Sequence, residues 1–330
     1  MQKKLVITDC EHIDYIPEQE VCKENGLEFV KYDLRGADDD TVVKALAGLE
    51  VVGNQYLRFT DSLFDRLPDL KCIVRYGVGV DNIDIASATR HGVAVCNVPD
   101  YSVQEVAAHA FAMMLALTRK LKLLDRSMEN GIWNYELSMK IHRYSEMTVG
   151  IIGYGRIGRA FAEMAHNLGC KIAAYDILFP PTLSEADREK YSIPEWTQLM
   201  DLDELFKTCD VISLHAPLSP ENGGCVSAPQ LAMMKPESFL INAARGGLVN
   251  EADLYEALRN KTIAGAAIDT WAKEPAAKDN PLVGLDNVIA TPHMAWYSEE
   301  ASVDLKRKLA EECVRAIKGE PLRCQLNKKR

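Results

Sequence analysis

No apolar run in this chain approaches the roughly 18 residues that a bilayer-spanning helix needs, so a membrane span is not expected. The stretch ahead of Asp9 is also too short for the apolar region of a signal peptide. Metal-binding patterns are missing: the seven histidines form no HxxxH or HExxH pair, and the nine cysteines form no CxxC. No metal is therefore expected. An odd number of scattered cysteines does not make a disulfide framework, and it fits reduced thiols in a cytoplasmic protein. Basic clusters are absent apart from Lys328-Lys329-Arg330. With a net charge of -10 and a pI near 5.3, a nucleic-acid surface is not expected either, because phosphate contacts need clustered Lys and Arg. There is no internal repeat and no low-complexity tract.

What is present is an ordinary globular composition, 47% hydrophobic and 26% charged, in 330 residues, a length that suits two domains. Short apolar runs alternate with helical patterns from the start. Strands are predicted at Lys4–Thr8, Leu27–Tyr32, Glu50–Gly53, Cys72–Arg75 and Val93–Val98, with helices near 17–25, 38–48, 61–67 and 83–91 between them. That alternation implies a parallel sheet covered on both faces. At Asn97-Val98-Pro99-Asp100 the pattern breaks. Ser102 then opens a long helix whose Val103, Val106, Ala110, Met114, Leu117, Leu121 and Leu124 recur at helical steps. This stripe suits a core helix or a subunit interface.

Met147 to Asp176 reads as strand, glycine turn, helix, strand, acid. Gly153 permits a tight turn out of the strand, Gly155 lets backbone approach a pyrophosphate, and Gly158 lets the helix pack close to the sheet. The N–H groups at the helix start face the phosphates. Asp176 lies about 20 residues on, where a carboxylate accepts hydrogen bonds from a ribose 2'-hydroxyl and repels a 2'-phosphate, so NAD is favoured over NADP. After Asp176 the alternation pauses around Pro180 and Pro181. It resumes with strands at Val211–His215, Phe239–Ala243, Gly265–Asp269 and Val288–Thr291, giving a doubly wound sheet of at least six strands. A last helix runs from Ser298 to Lys318.

Arg245, Glu274 and His293 each follow a predicted strand of this second half, and open α/β sheets bind ligands outside the carboxyl ends of their strands. An arginine fork grips a carboxylate and polarises a neighbouring carbonyl. A histidine supplies the proton that a new alkoxide needs, and a glutamate beside it fixes the ring. That set fits reduction of a carbonyl.

The chain resembles the D-isomer-specific 2-hydroxyacid dehydrogenase family over nearly its whole length. The resemblance is carried by KCIVRYGVGVDNID at 71–84, the GYGRIG turn, LHAPLSPEN at 214–222, INAARGGLVNE at 241–251, AAIDTWAKEP at 266–275 and TPHMAWYS at 291–298. It implies a flavodoxin-like substrate lobe (1–99 plus 298–330) and an inserted Rossmann NAD-binding lobe (100–297), with closure of the lobes around the reaction. It also implies a homodimer built on the cofactor lobes, which favours an interface role for the helix after Ser102. Residue by residue, His293 matches the acid/base, Glu274 its carboxylate partner, and Arg245 the group that binds the substrate carboxylate and carbonyl. The Val78-Gly79 backbone matches the nest for the substrate carboxylate. Gly153, Gly155, Arg156, Ile157, Gly158 and Asp176 match cofactor contacts, as do His215, Pro217 and Ala243, and Asp269 matches an acid near the carboxamide of NAD.

Arg75 and the HMAWYSEEA run look like the branch that contains the C-terminal-binding-protein corepressors. They make Arg75 and Trp296 further substrate-site candidates, although Trp296 also suits a packing aromatic. Glutamate at 274 departs from the formate dehydrogenase pattern. The chain stops soon after its last helix, so the regulatory extension of many phosphoglycerate dehydrogenases is not expected. The expected function is interconversion of a small 2-keto acid and its D-2-hydroxy acid with NAD. The alternative is an NAD(H)-sensing binding module like the corepressors. Asn54, Tyr56 and Tyr76, taken as pocket residues, tilt the substrate toward small or medium acids.

Overall fold

The computed structural model describes residues 3–328, so Lys329 and Arg330 of the basic tail lie outside the described residues. The chain divides into two compact units, one running through Ser102 and resuming at Ser298, the other spanning Val103–Tyr297.

In the first unit, β1 (Lys4–Ile7), β2 (Glu28–Lys31), β3 (Val51–Asn54), β4 (Cys72–Arg75) and β5 (Ala94–Cys96) form a wholly parallel sheet in the order β2-β1-β3-β4-β5. Four helices make the crossovers: α1 (Ile16–Glu24), α2 (Asp39–Leu46), α3 (Asp61–Arg66) and α4 (Ile85–Arg90). Local chemistry starts them. Asp38 accepts the Thr41 N–H at 2.8 Å and Asp84 the Ser87 N–H at 2.9 Å, each satisfying a donor left open in the first helical turn. The strands alternate as predicted, to within two residues at each end.

The second unit opens with α5 (Val103–Thr118) and α6 (Leu121–Glu129). The single helix predicted through Leu124 is therefore broken. The Thr118 hydroxyl bonds back to the Met114 carbonyl at 2.8 Å, and Lys120 takes a left-handed φ of 54°. The turn lets Lys122 Nζ reach the carbonyls of Leu285 and Val288 at 2.8 and 2.7 Å. Met113, Met114 and Leu117 stay in the core, while Leu121 is exposed. Hydrophobic period reports a face and carries no information about a single left-handed residue that breaks it.

There follow β6 (Thr148–Ile152), α7 (Arg156–Asn167), β7 (Lys171–Tyr175), α8 (Glu185–Lys190), β8 (Thr197–Leu199), α9 (Leu202–Thr208), β9 (Val211–Leu214), α10 (Ala228–Met233), β10 (Phe239–Asn242), α11 (Glu251–Arg259), β11 (Gly265–Ile268) and β12 (Val288–Ala290). The sheet has seven strands, all parallel, in the order β12-β11-β10-β9-β6-β7-β8. The expected pause after Asp176 in fact holds α8 and the edge strand β8, too short and too polar to show as an apolar run. Strands buried on both faces, such as β9 and β11, read as continuous apolar segments, as a sheet covered on both sides requires. Finally α12 (Glu299–Lys318), capped by Ser298 and ended by left-handed Gly319, returns to the first unit and packs on α1, β3 and β4. Among the described residues no helix is long and apolar enough to cross a membrane.

Candidate active site

The three glycines of the turn after β6 have separable tasks. Gly153 has φ +93°, and a Cβ there would lie 2.6 Å from the backbone of His215 and Ala216. At Gly158 a Cβ would lie 2.2 Å from the Gly153 carbonyl oxygen. Both are demanded by the fold itself. Gly155 is different: it has an ordinary negative φ and nothing within 4 Å of a built Cβ. The space beside it is open toward solvent at the N-terminus of α7, which has no side-chain cap and no acidic residue in its first turn. An uncapped helix start with a bare backbone approach fits a pyrophosphate.

Arg156 is exposed in that first turn, and Ile157 packs partly against the core. Asp176, just past β7, accepts the Tyr154 N–H at 2.8 Å and the Leu178 N–H at 3.0 Å, so the carboxylate is fastened to the glycine turn. Ile177 and Leu178 beyond it are exposed. His215 closes the other side. Its Nε2 is 2.9 Å from Ser213 Oγ, its ring stands 5.0 Å from that of Phe161, and its buried Nδ1 has no hydrogen-bond partner among the described residues. Burial pulls its pKa down to about 3, which keeps the ring neutral. The loop after it is folded by Asn222, which donates to the Pro217 carbonyl and accepts the Ser219 N–H, both at 2.7 Å.

The carboxyl ends of β10, β11 and β12 are aligned, Asn242 opposite Ile268 and Ile268 opposite Ala290. The loops that begin at Ala243, Asp269 and Thr291 therefore leave side by side. The Asn242 side chain bonds the Arg245 carbonyl at 2.9 Å and the Ala244 N–H at 3.1 Å, which shapes the arginine loop from within. Two glycines press this loop against its neighbours. A Cβ at Gly246 would lie 1.9 Å from the Trp271 carbonyl carbon, and one at Gly247 would lie 2.8 Å from the Leu218 side chain.

Glu274 is reached from two directions. Oε1 takes the Trp271 N–H at 2.9 Å and Oε2 meets His293 Nδ1 at 2.7 Å. Burial alone raises a carboxyl, but the bond and charge of His293, the Trp271 N–H and the charge of Arg245 together hold Glu274 below its ordinary value. Arg245, Glu274 and His293 are thus brought together, although they come from separate loops. With Nδ1 engaged, His293 has Nε2 for proton exchange with a bound molecule.

Asp269 has a task that sequence reasoning missed. Its side chain is wholly buried, and its carboxylate accepts the Thr291 hydroxyl at 2.6 Å and the Met294 and Ala295 N–H groups at 3.0 and 3.1 Å. Its carbonyl takes the His293 N–H at 2.8 Å. The acid gathers the loop that carries His293, which sits at φ 52°, a left-handed conformation that persists only when surrounding bonds over-determine it. An aspartate directly after the buried run AAI was the available signal, since a buried carboxylate needs several donors. Trp296 packs partly against the core beside Ala295, edge-on to Tyr297 at 5.5 Å.

In the first unit, Arg75 ends β4 and folds back over the next turn, where a Cβ at Gly77 would meet its guanidinium at 2.1 Å. Asn97 holds the Val78 carbonyl at 2.7 Å, and Val78 and Gly79 stand on the surface beyond it. The expected pocket residues are largely not available. Asn54 is fully buried and bonded to Thr8 and Leu57, and Tyr76 is buried with its hydroxyl donating to Glu18 at 2.7 Å. Only Tyr56 of the three is exposed. Strand-end position did not reveal which way those side chains point.

A nucleotide-type glycine turn with a fastened acid, and a His–Glu pair beside an arginine on the same sheet edge, define a dinucleotide-binding α/β protein equipped for proton transfer. Residues 111–295 match the model of the D-isomer specific 2-hydroxyacid dehydrogenase NAD-binding domain. The chain belongs to that family, and its second unit is an NAD-binding domain. It is 37% identical over 319 residues to the D-3-phosphoglycerate dehydrogenase of Archaeoglobus fulgidus, a match covering 96% of this chain and 57% of that one. The chain thus spans little more than half the length of that relative. It is 34% identical to the glycerate dehydrogenase of Methylorubrum extorquens, with 97% and 98% of the two chains covered. Among solved structures, an acyclic imino acid reductase in complex with NADPH and D-Arg superposes with a TM-score of 0.84 at 28% identity, covering 99% of this chain and all of the other.

Proposed function

We propose that this protein is an NAD-dependent oxidoreductase interconverting a small 2-keto acid and its D-2-hydroxy acid. The observation that carries this reading is the His293 Nδ1–Glu274 pair at 2.7 Å beside Arg245 on an NAD-binding unit. When bound, NADH supplies the hydride that reaches the keto carbon. His293, held by Glu274, gives its proton to the carbonyl oxygen and takes it back in the reverse direction. Arg245 binds the substrate carboxylate and draws charge from the carbonyl. The Val78-Gly79 backbone, Arg75 and Trp296 are proposed as further substrate contacts. Gly155, with Gly153, Arg156, Ile157 and Gly158, is proposed to receive the pyrophosphate, and Asp176 the adenine ribose. His215, Pro217, Ala243 and Asp269 are proposed to line the cofactor, with Asp269 also steadying the His293 loop.

Residues 1–99 with 298–330 are proposed as the substrate domain and 100–297 as the cofactor domain. We also propose a homodimer through the cofactor domain. Its support is the apolar surface after α5, where Leu121, Met128, Ile132, Trp133, Tyr135 and Met139 are all exposed, an unusual density for a surface facing water. A cytoplasmic setting is proposed from the nine cysteines, which are all free thiols.

The test is His293→Ala. Turnover of the keto acid should fall by about a hundredfold or more, the usual size of a general-acid contribution, with NADH affinity and thermal stability preserved. Near-native turnover in a folded variant overturns the assignment.

A further inference from the structure

Behind the His293 loop, α5 presents a histidine with Glu105 one turn before it and Met113 one turn after it. Val106, Ala107, Ala110 and Met113 are buried around it, and His109 itself is only 20% exposed. His109 Nε2 lies 3.2 Å from Thr291 Oγ1 and 3.8 Å from Asp269 Oδ1. Because the Thr291 hydroxyl donates its proton to Asp269 Oδ1 at 2.6 Å, its oxygen is an acceptor toward the imidazole. His109 Nε2–H therefore donates to Thr291, Thr291 donates to Asp269, and Asp269 gathers the Met294 and Ala295 N–H groups at 3.0 and 3.1 Å.

The chain of bonds has a direction and an end point. Its last member carries the residue at φ 52° whose ring meets Glu274. The hydrogen bonds to the Asp269 carboxylate from Thr291, Met294 and Ala295 all come from neutral donors, and a buried carboxylate is stable only while its donors are held in place. An apolar residue at 109 would take away the donor that meets the Thr291 oxygen and leave Asp269 as the one side-chain partner of that hydroxyl among these contacts.

We propose that His109 is a positioning residue: by orienting Thr291 toward Asp269 it sets the Thr291–Ala295 loop, and so the placement of the His293 ring against Glu274. It touches no reacting atom, and it acts through the loop. The inference rests on the reading of His293 as the acid/base group.

The experiment compares His109→Leu, His109→Gln and Thr291→Val in the full chain. Two readouts are taken: kcat and KM with NADH and a turned-over 2-keto acid, and hydrogen exchange of the Met294 and Ala295 amides without substrate. A small displacement of a catalytic group costs rate more than binding. His109→Leu and Thr291→Val should therefore lower kcat about tenfold with KM for NADH changed less than about twofold. Their two amides should exchange at least about tenfold faster than in the parent, as a locally loosened loop does. Glutamine keeps an amide donor at a similar reach, so His109→Gln should recover most of both. Unchanged exchange in His109→Leu overturns the proposal, as does a glutamine variant that falls as far as leucine. If His109→Leu does not fold, Thr291→Val with the glutamine variant decides. Should the parent turn over no 2-keto acid, the catalytic reading fails on that result, while amide exchange still settles whether His109 holds the loop.

Discussion

Of the three glycines in the turn after β6, only Gly155 is spared by the protein itself, and that difference supports a quantitative prediction. A methyl group at 153 or 158 would collide with backbone at 2.6 or 2.2 Å, whereas one at 155 meets nothing within 4 Å. Gly155→Ala should leave the fold intact; at this N-cap the change from glycine to alanine costs less than about 1 kcal/mol. The methyl instead occupies the path of a phosphate approaching the α7 N–H groups. Losing one charge-assisted hydrogen bond there costs about 1.5–3 kcal/mol, which weakens NADH about ten- to 150-fold. The assay is a fluorescence titration of NADH alongside thermal unfolding without ligand, with Gly158→Ala as the contrast. Gly158→Ala should lower stability by about 1–3 kcal/mol, the usual cost of overpacking. Unchanged NADH affinity in Gly155→Ala refutes the reasoning, and so does an equal loss of stability in the two variants.

Three further outcomes are expected. Burial holds His215 at about 3, and burial with the charge of Lys306 holds His12 at about 4, against the opposing pull of Glu11 and Asp14. Since both values lie below the ordinary histidine value near 6.5, the unfolded chain binds the extra protons. Stability is full above about pH 6.5 and falls as pH drops toward 4, by up to about 1.4 kcal/mol per pH unit for each histidine; denaturant melts at pH 7 and 5 check this, and equal midpoints contradict it. Replacing Asp176 with alanine should raise the preference for NADPH relative to NADH by at least about tenfold, through loss of the charge that repels a 2'-phosphate; a parent that already uses both cofactors equally removes the role of Asp176. Trp133→Arg should convert the proposed homodimer to monomer in sedimentation without lowering the melting temperature of the subunit, because Trp133 is 88% exposed; a parent that sediments as a monomer contradicts the dimer.

The parts of this molecule that were legible in the sequence are those governed by local pattern. Strands buried on both faces print as apolar runs, the long helices print as apolar residues recurring at helical steps, and the glycine turn prints as GYGRIG. Strand-end position, taken with side-chain chemistry, singled out Arg245, Glu274 and His293, and the aligned ends of β10, β11 and β12 bring them together: residues that leave adjacent parallel strands are neighbours whatever their separation along the chain. What stayed hidden depends on side-chain direction and on single backbone angles. Asp269 turns inward to bind Thr291 and two N–H groups, Tyr76 turns inward to Glu18, and Lys120 breaks a helix whose apolar stripe continues past it. His109 carried no signal, since a histidine within a helix gains meaning only from the Thr291 it meets.

The most direct test of the central claim is the initial rate of NADH oxidation at neutral pH across a panel of 2-keto acids, with NADPH run in parallel. Turnover of at least one acid with NADH, formation of the D-2-hydroxy acid, and little rate with NADPH are expected. Tight NADH binding with no turnover of any acid in the panel would contradict it, and would point instead to a protein that binds NAD(H) in order to sense it.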